Sequence, residues 1–290
     1  MKLKEIKRNW WKLLLIVIIS SAINMGLHAV MTPDDIDNLS GLDFSYFVEN
    51  NLVMQGIILW EFIAYTTFAL IFMLIQDNFG GKKWQKGLRY GIAFGGLYFF
   101  GMLEAVMLIN SSFLSELIMG LADALAFIIA GLLLGAVLGT DSPKSLTRED
   151  PKAIIYIALF YIIGRILAYT IWNVDSSFYT AFWPTMAWTV TQGIWIGCIY
   201  YLLSHGIESR SLFKHAFLFG GVVYGINWII NHSFMFVIVA FNFDLLIRSG
   251  NDALFVILGV YSYKKIMQYK EAGSEKETLQ AHGYNKIVDV

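Results

Sequence analysis

Apolar residues gather in eight long runs, near 10–31, 52–76, 87–109, 113–139, 153–173, 181–204, 215–241 and 245–266, separated by short polar segments. A run of about 20 apolar residues can cross a bilayer as a helix, because a helix satisfies its backbone polar groups internally. The runs are about twice the length of barrel strands, which argues against a transmembrane β-barrel. The pattern predicts an all-α integral membrane protein with eight transmembrane helices. The last run is the most interrupted, with Arg248, Asn251 and Asp252 in its first turns.

The runs also repeat. Phe94-Gly95-Gly96 lies in the third and Phe219-Gly220-Gly221 in the seventh; at the same offset Thr66 matches Thr191 and Arg89 matches Lys214. Ala122-Asp123-Ala124-Leu125 is answered by Asn251-Asp252-Ala253-Leu254, the spacing having grown by four residues. An even number of runs per repeat starts both copies on the same side. The repeats are then parallel, related by a pseudo-twofold along the membrane normal. Chance recurrence in a chain rich in Phe and Gly is the plainer explanation for the tripeptide, and tandem glycines also let helices approach closely. The matched aspartates and equal run counts favour a true repeat. The division expected is a first four-helix repeat over 1–140, a cytoplasmic linker over 141–152, a second repeat over 153–268, and a polar, mobile cytoplasmic tail over 269–290.

Composition agrees. Of 290 residues, 57% are hydrophobic and 15% charged, with a mean hydropathy of +0.58; soluble domains carry about 25% charged residues. A lone cysteine, Cys198, excludes an intramolecular disulfide.

Charge alternates between successive loops. Lys2, Lys4, Lys7, Arg8 and Lys12 precede or open the first run, whereas the next loop holds Asp34, Asp35, Asp37, Asp43 and Glu49 without a basic residue. Basic residues return at Lys82, Lys83, Lys86 and Arg89, at Lys144, Arg148 and Lys152, at Arg210 and Lys214, and at Lys264, Lys265 and Lys270. The positive-inside rule then puts both termini in the cytoplasm of a cell-membrane protein. The first run begins like a signal peptide but is long and lacks an A-x-A site, so it is expected to remain as an anchor. Trp10, Trp11, Trp84, Trp172 and Trp183 fit interfacial belts.

Ionisable groups inside the runs carry the functional reading, since each costs about 2.5–3.5 kcal/mol at the bilayer centre on insertion scales and needs a partner. They are Glu61, Glu104, Glu116, Asp123, Arg165, His232, Arg248 and Asp252, with Asn24, His28, Asn227 and Asn231 as polar neighbours. Most fall between the midplane and the outer surface. The first repeat supplies acids and the second both arginines, so Arg165 and Arg248 are expected to neutralise acids of the other repeat. The candidate binding residues are Glu61, Glu104, Asp123, Arg165, Asn227, Asn231, His232, Arg248 and Asp252, converging on an outward-open polar cavity with Asp123 and Asp252 at its floor. Intramembrane ion pairs also have a structural meaning, the fixing of helix register. His232 is expected to bond a neighbour such as Asn227 rather than a metal.

Catalytic signatures are missing. The chain has no H-E-x-x-H, G-x-S-x-G, P-loop or dinucleotide fingerprint. The run Asp34-Asp35-Ile36-Asp37 has no second motif to make a metal-diphosphate site. Of five histidines, two lie in loops (His205, His215) and one in the tail (His282), too few left to furnish paired bis-His haem ligation across four helices, and sparse basic residues give no nucleic-acid surface. No cofactor, metal or catalytic residue is assigned. The leading expectation is a permease-like protein for a cation, proton or small amine-bearing solute, with membrane lipids as its surroundings. The second is a non-transporting module such as a receptor, immunity factor or assembly partner, whose protein partner the sequence does not name. The third is a lipid-modifying enzyme with Glu104 or Asp123 as general acid–base.

Overall fold

The computed structural model describes residues 3–32, 43–109, 111–144 and 148–288, with side chains over 8–32, 43–109, 111–144 and 148–270. The acidic run at 34–37 and the side chains of Lys2, Lys4 and Lys7 lie outside the described residues. Among those described, the chain is helical without strands. Eight long helices follow one another: α1 Leu3–Met31, α2 Val53–Ile75, α3 Lys83–Met102, α4 Phe113–Leu138, α5 Lys152–Thr170, α6 Phe182–Leu203, α7 Leu212–Ile238 and α8 Phe243–Val288.

Local sequence sets several boundaries. Ser112 caps α4 by accepting from the Ser115 N–H, and Ser211 caps α7 by accepting from Lys214, both at 3.4 Å. Asp141 accepts from the Lys83 N–H at 2.9 Å at the start of α3. That helix ends at Met102, and Glu104 sits at the break before a short helix, Ala105–Leu108. The third apolar run was expected to continue unbroken to 109. The break instead turns Glu104 toward groups on α5, α7 and α8.

Six of these helices, α1–α5 and α7, are long and apolar enough to cross a membrane. The expectation of eight such helices is therefore met at six. Thr185, Thr189, Thr191 and Gln192 dilute α6, and Asp244, Arg248, Asn251 and Asp252 dilute the start of α8. The tail also differs from expectation. The α8 backbone continues as helix to Val288, through a segment rich in Lys, Glu, Ala and Gln, which are good helix formers.

Small residues set the tightest packing. A Cβ on Gly87 would lie 2.2 Å from the Gly131 carbonyl oxygen, and one on Gly131 would lie 2.5 Å from that of Gly87. With Gly91, Gly95 and Gly135 these residues bring the α3 and α4 backbones together, the small-residue device of membrane helices. Around this seam Phe68, Tyr90, Phe94, Tyr98 and Phe127 form a buried aromatic layer. Ile58, Leu59, Phe62, Leu121, Leu125, Ile155 and Leu159 are exposed, an apolar exterior that suits lipid.

Helix neighbours follow a regular scheme. α1 packs on α2 and α4, and α3 packs on α4 and α6; α5 packs on α6 and α8, and α7 packs on α8 and α2. Tryptophans tie the contacts between the first four helices and the last four. Trp188 and Trp195 of α6 donate to the Phe100 and Ala93 carbonyls of α3 at 2.7 and 3.0 Å, and Trp60 of α2 donates to the Ile230 carbonyl of α7 at 2.8 Å. The Trp195 ring lies where a Gly96 Cβ would stand, 2.1 Å away, so one glycine of the first tripeptide makes room for an indole.

Candidate functional site: two buried polar clusters

Seven of the ionisable groups singled out from the runs, Glu61, Glu104, Asp123, Arg165, His232, Arg248 and Asp252, fall in two clusters. Among the described residues, no hydrogen bond or ion pair joins them.

The first cluster draws on α1 to α4. His28 Nε2 lies 3.0 Å from Asp123 Oδ1. One turn earlier on α1, Asn24 Nδ2 donates to Glu61 Oε1 of α2 at 3.4 Å. Glu61, Asp123 and His28 interact electrostatically, and the Tyr98 hydroxyl of α3 lies in the field of Asp123. Tyr65 of α2 lies in the field of both carboxyls. Glu61, Asn24, Tyr65, Tyr98 and Asp123 are all buried; His28 is the wettest member, with a side chain 29% exposed. Several polar atoms here lack a hydrogen-bond partner: Asn24 Oδ1, Glu61 Oε2, the Tyr65 and Tyr98 hydroxyls, and Ser20 Oγ. Buried polar atoms are seldom left unpaired, because each costs about 1–3 kcal/mol in lost hydration.

The second cluster centres on Arg165 of α5, which is wholly buried. Its guanidinium donates to Glu104 Oε1 and to Asp252 Oδ2, both at 2.5 Å, and lies 4.9 Å from the centre of the Trp188 ring. Arg248 of α8 donates to the same Glu104 oxygen at 2.7 Å, to Asp244 at 3.0 Å, and to the Asp175 carbonyl. Trp228 Nε1 of α7 donates to Asp252 Oδ2 at 2.7 Å. His232 stands between the Trp228 carbonyl at 3.0 Å and Glu104 Oε2 at 3.2 Å. Two guanidiniums thus meet three carboxylates in a bonded network, although Asp252 Oδ1 and the Tyr161 and Tyr224 hydroxyls are unpaired.

The structure therefore brings Glu104, Arg165, His232, Arg248 and Asp252 together, and sets Glu61 and Asp123 apart from them. Glu104, at the end of α3, meets Arg165 of α5 and Arg248 of α8. Asp123 and Asp252 do not share a floor. His232 bonds Glu104 and Trp228, not Asn227. Asn227 instead donates to the Val223 carbonyl of its own helix at 2.8 Å, and Asn231 lies against Gly101. Sequence reasoning passed over Asp244, although its place four residues before Arg248 marks one helix face. His28 and Asn24, also one turn apart, were noted only as neutral neighbours. Trp228 and the buried tyrosines carried no signal separable from ordinary aromatic packing.

A third polar group closes the end where the basic loops lie. Glu149 accepts from Lys264 at 2.7 Å, Ser204 at 3.1 Å and Tyr263 at 3.2 Å. It borders a cavity of about 280 Å³ also lined by Arg210, His215 and Lys264. Burial pushes the Glu149 carboxyl up, but the Lys264 and Ser204 hydrogen bonds pull it further down, leaving it below its ordinary value.

Comparison with protein-family models, with curated proteins and with solved structures finds no match for this chain.

Proposed function

We propose that the chain is a permease-like protein of the cell membrane, spanning it eight times with both termini cytoplasmic, and built from two parallel four-helix repeats. Its cargo is a proton, a cation or a small amine-bearing solute. The helix neighbours support the repeat: exchanging α1–α4 with α5–α8 turns each of the eight packings named above into another of them, the lesser contact of α2 with α4 standing outside the exchange. The polar residues support it too. In each half an aspartate of the last helix (Asp123, Asp252) pairs with a base on the first (His28, Arg165). A fully buried tyrosine of the third helix (Tyr98, Tyr224) lies in that aspartate's field. The extra residue between the second Phe-Gly-Gly and Tyr224 falls in a π-helical stretch, Leu218–Ile226, and a π turn absorbs one additional residue.

The observation that carries the permease reading is the first cluster. Two buried carboxyls that interact electrostatically, and several unpaired oxygens, are gathered from four helices, a set of groups that favours a positively charged visitor. The test is flux into liposomes containing the purified protein, driven by a potassium diffusion potential, with and without a panel of small amines. Flux above protein-free liposomes that falls at least tenfold in Asp123→Asn supports the reading. Flux indistinguishable from empty liposomes across the whole panel contradicts it.

The second cluster favours a different reading, a non-transporting membrane module. Its charges are bonded to one another within the fold, as a register-fixing network would be. Under that reading the first cluster is a structural feature as well, and Asp123→Asn alters stability alone.

A further inference from the structure

The two halves hold equivalent aspartates but unequal partners. In the second half the partner is Arg165, a cation that stays protonated in proteins and bonds Asp252 at 2.5 Å. In the first half it is the His28 ring, which titrates near neutral pH when unperturbed, 3.0 Å from Asp123. Glu61 adds a second carboxyl that interacts with Asp123, for which the second half has no counterpart on α6, whose buried polar side chains are those of Thr185, Trp188, Thr189, Gln192 and Tyr200. Even with the His28 ring protonated, Glu61 and Asp123 leave the first cluster one positive charge short. Two carboxyls held close together away from water do not both ionise; they share a proton.

From this arrangement we infer that the first half holds a single exchangeable proton-binding site, seated on Glu61 beside the His28–Asp123 pair. Arg165 acts in the second half as a tethered cation that closes the equivalent place. The inference deepens the permease reading and rests on it for the equivalence of the halves.

The geometry names the seat. Glu61 Oε1 faces the Asn24 amide at 3.4 Å, while Oε2 is buried without a partner. Asn24 Oδ1 and the Tyr65 and Tyr98 hydroxyls of the same cluster are likewise buried without a partner. Among the described residues, the groups that interact with Glu61 or Asp123 include Ser21, Asn24 and His28 from α1, Tyr65 from α2 and Tyr98 from α3. None carries a fixed positive charge. His28 is also the most exposed member, which gives the proton a route by way of the ring.

Infrared pH-difference spectra of the protein in detergent test this directly. The expected result is a protonated-carboxyl C=O stretch at neutral pH that disappears as pH rises. It is missing in Glu61→Gln and kept in Glu149→Gln. Thermal melting checks that the Gln variant is folded; if it is not, Glu61→Asp should shift the band's frequency. A band absent from the wild type, kept in folded Glu61→Gln, or unmoved in Glu61→Asp overturns the inference. So does a band that sodium or potassium removes at constant pH, which would assign the site to a metal cation. No transport is measured, so a silent flux assay leaves the proton site standing, and a missing band leaves a permease of other cargo standing.

Discussion

At the scale of single residues, the cost of burying charge explains most of the arrangement. An isolated ion in a low-dielectric interior is held only when opposite charge and hydrogen bonds surround it. Glu104, Arg165, Arg248 and Asp252 meet most of that demand mutually, although Asp252 Oδ1 and the Nε of both arginines have no partner. Glu149 does so at the basic end through Lys264, Ser204 and Tyr263, and this fixes a pH dependence. Its folded-state value lies below the ordinary carboxylate value, so its stabilisation is complete above the ordinary value and is lost as pH falls through the folded one. Acid melts should therefore show wild type losing thermal stability faster below about pH 4.5 than Glu149→Gln, an ordinary value typical of Glu. Parallel melting curves for the two proteins would refute this role. Residue-level reading from sequence found the ionisable groups inside the helices. It could not pair them, because pairing depends on which helices are neighbours, and Glu104 meets both arginines from the turn that ends α3.

Among the elements, the closest contact is the glycine seam between α3 and α4. Gly87, Gly91, Gly131 and Gly135 were visible in the sequence as small residues one turn apart, but their partners were not, since glycine spacing names a face without naming its mate. A Cβ at Gly131 meets the α3 backbone at 2.5 Å, and backbone cannot rotate aside as a side-chain tip does. Gly131→Ala should destabilise the protein by about 1–3 kcal/mol, the usual range for overpacking, read as a lower melting temperature in detergent. Gly26→Ala is the control, because nothing lies within 4 Å of the added Cβ. Equal melting temperatures for the two variants would contradict close packing at the seam. The element pattern was otherwise legible: all eight apolar runs became long helices. Their ends were less so, as the break before Glu104 and the continuation of α8 to Val288 lie where hydropathy alone carries no boundary.

For the molecule as a whole, the recurring Phe-Gly-Gly and aspartate motifs pointed to two halves, and the proposed repeat rests on those motifs together with the order in which the helices neighbour one another. The sequence pictured the acids gathered in one shared cavity. Instead Asp123 and Asp252 stand in separate clusters, because each pairs with the first helix of its own half and not with its twin. On the proposed reading the two clusters differ in role: the His28–Asp123–Glu61 group would exchange a proton, and the Arg165–Asp252 group would be held closed by arginine. Labelling with dicyclohexylcarbodiimide, followed by peptide mass spectrometry, separates the halves most directly, because the reagent enters apolar surroundings and attacks protonated carboxyls in preference to ion-paired ones. The account predicts modification of Glu61 that fades as pH is raised, with Glu104 and Asp252 untouched. Modification of Glu104 or Asp252 in preference to Glu61, or labelling of Glu61 that ignores pH, would contradict it.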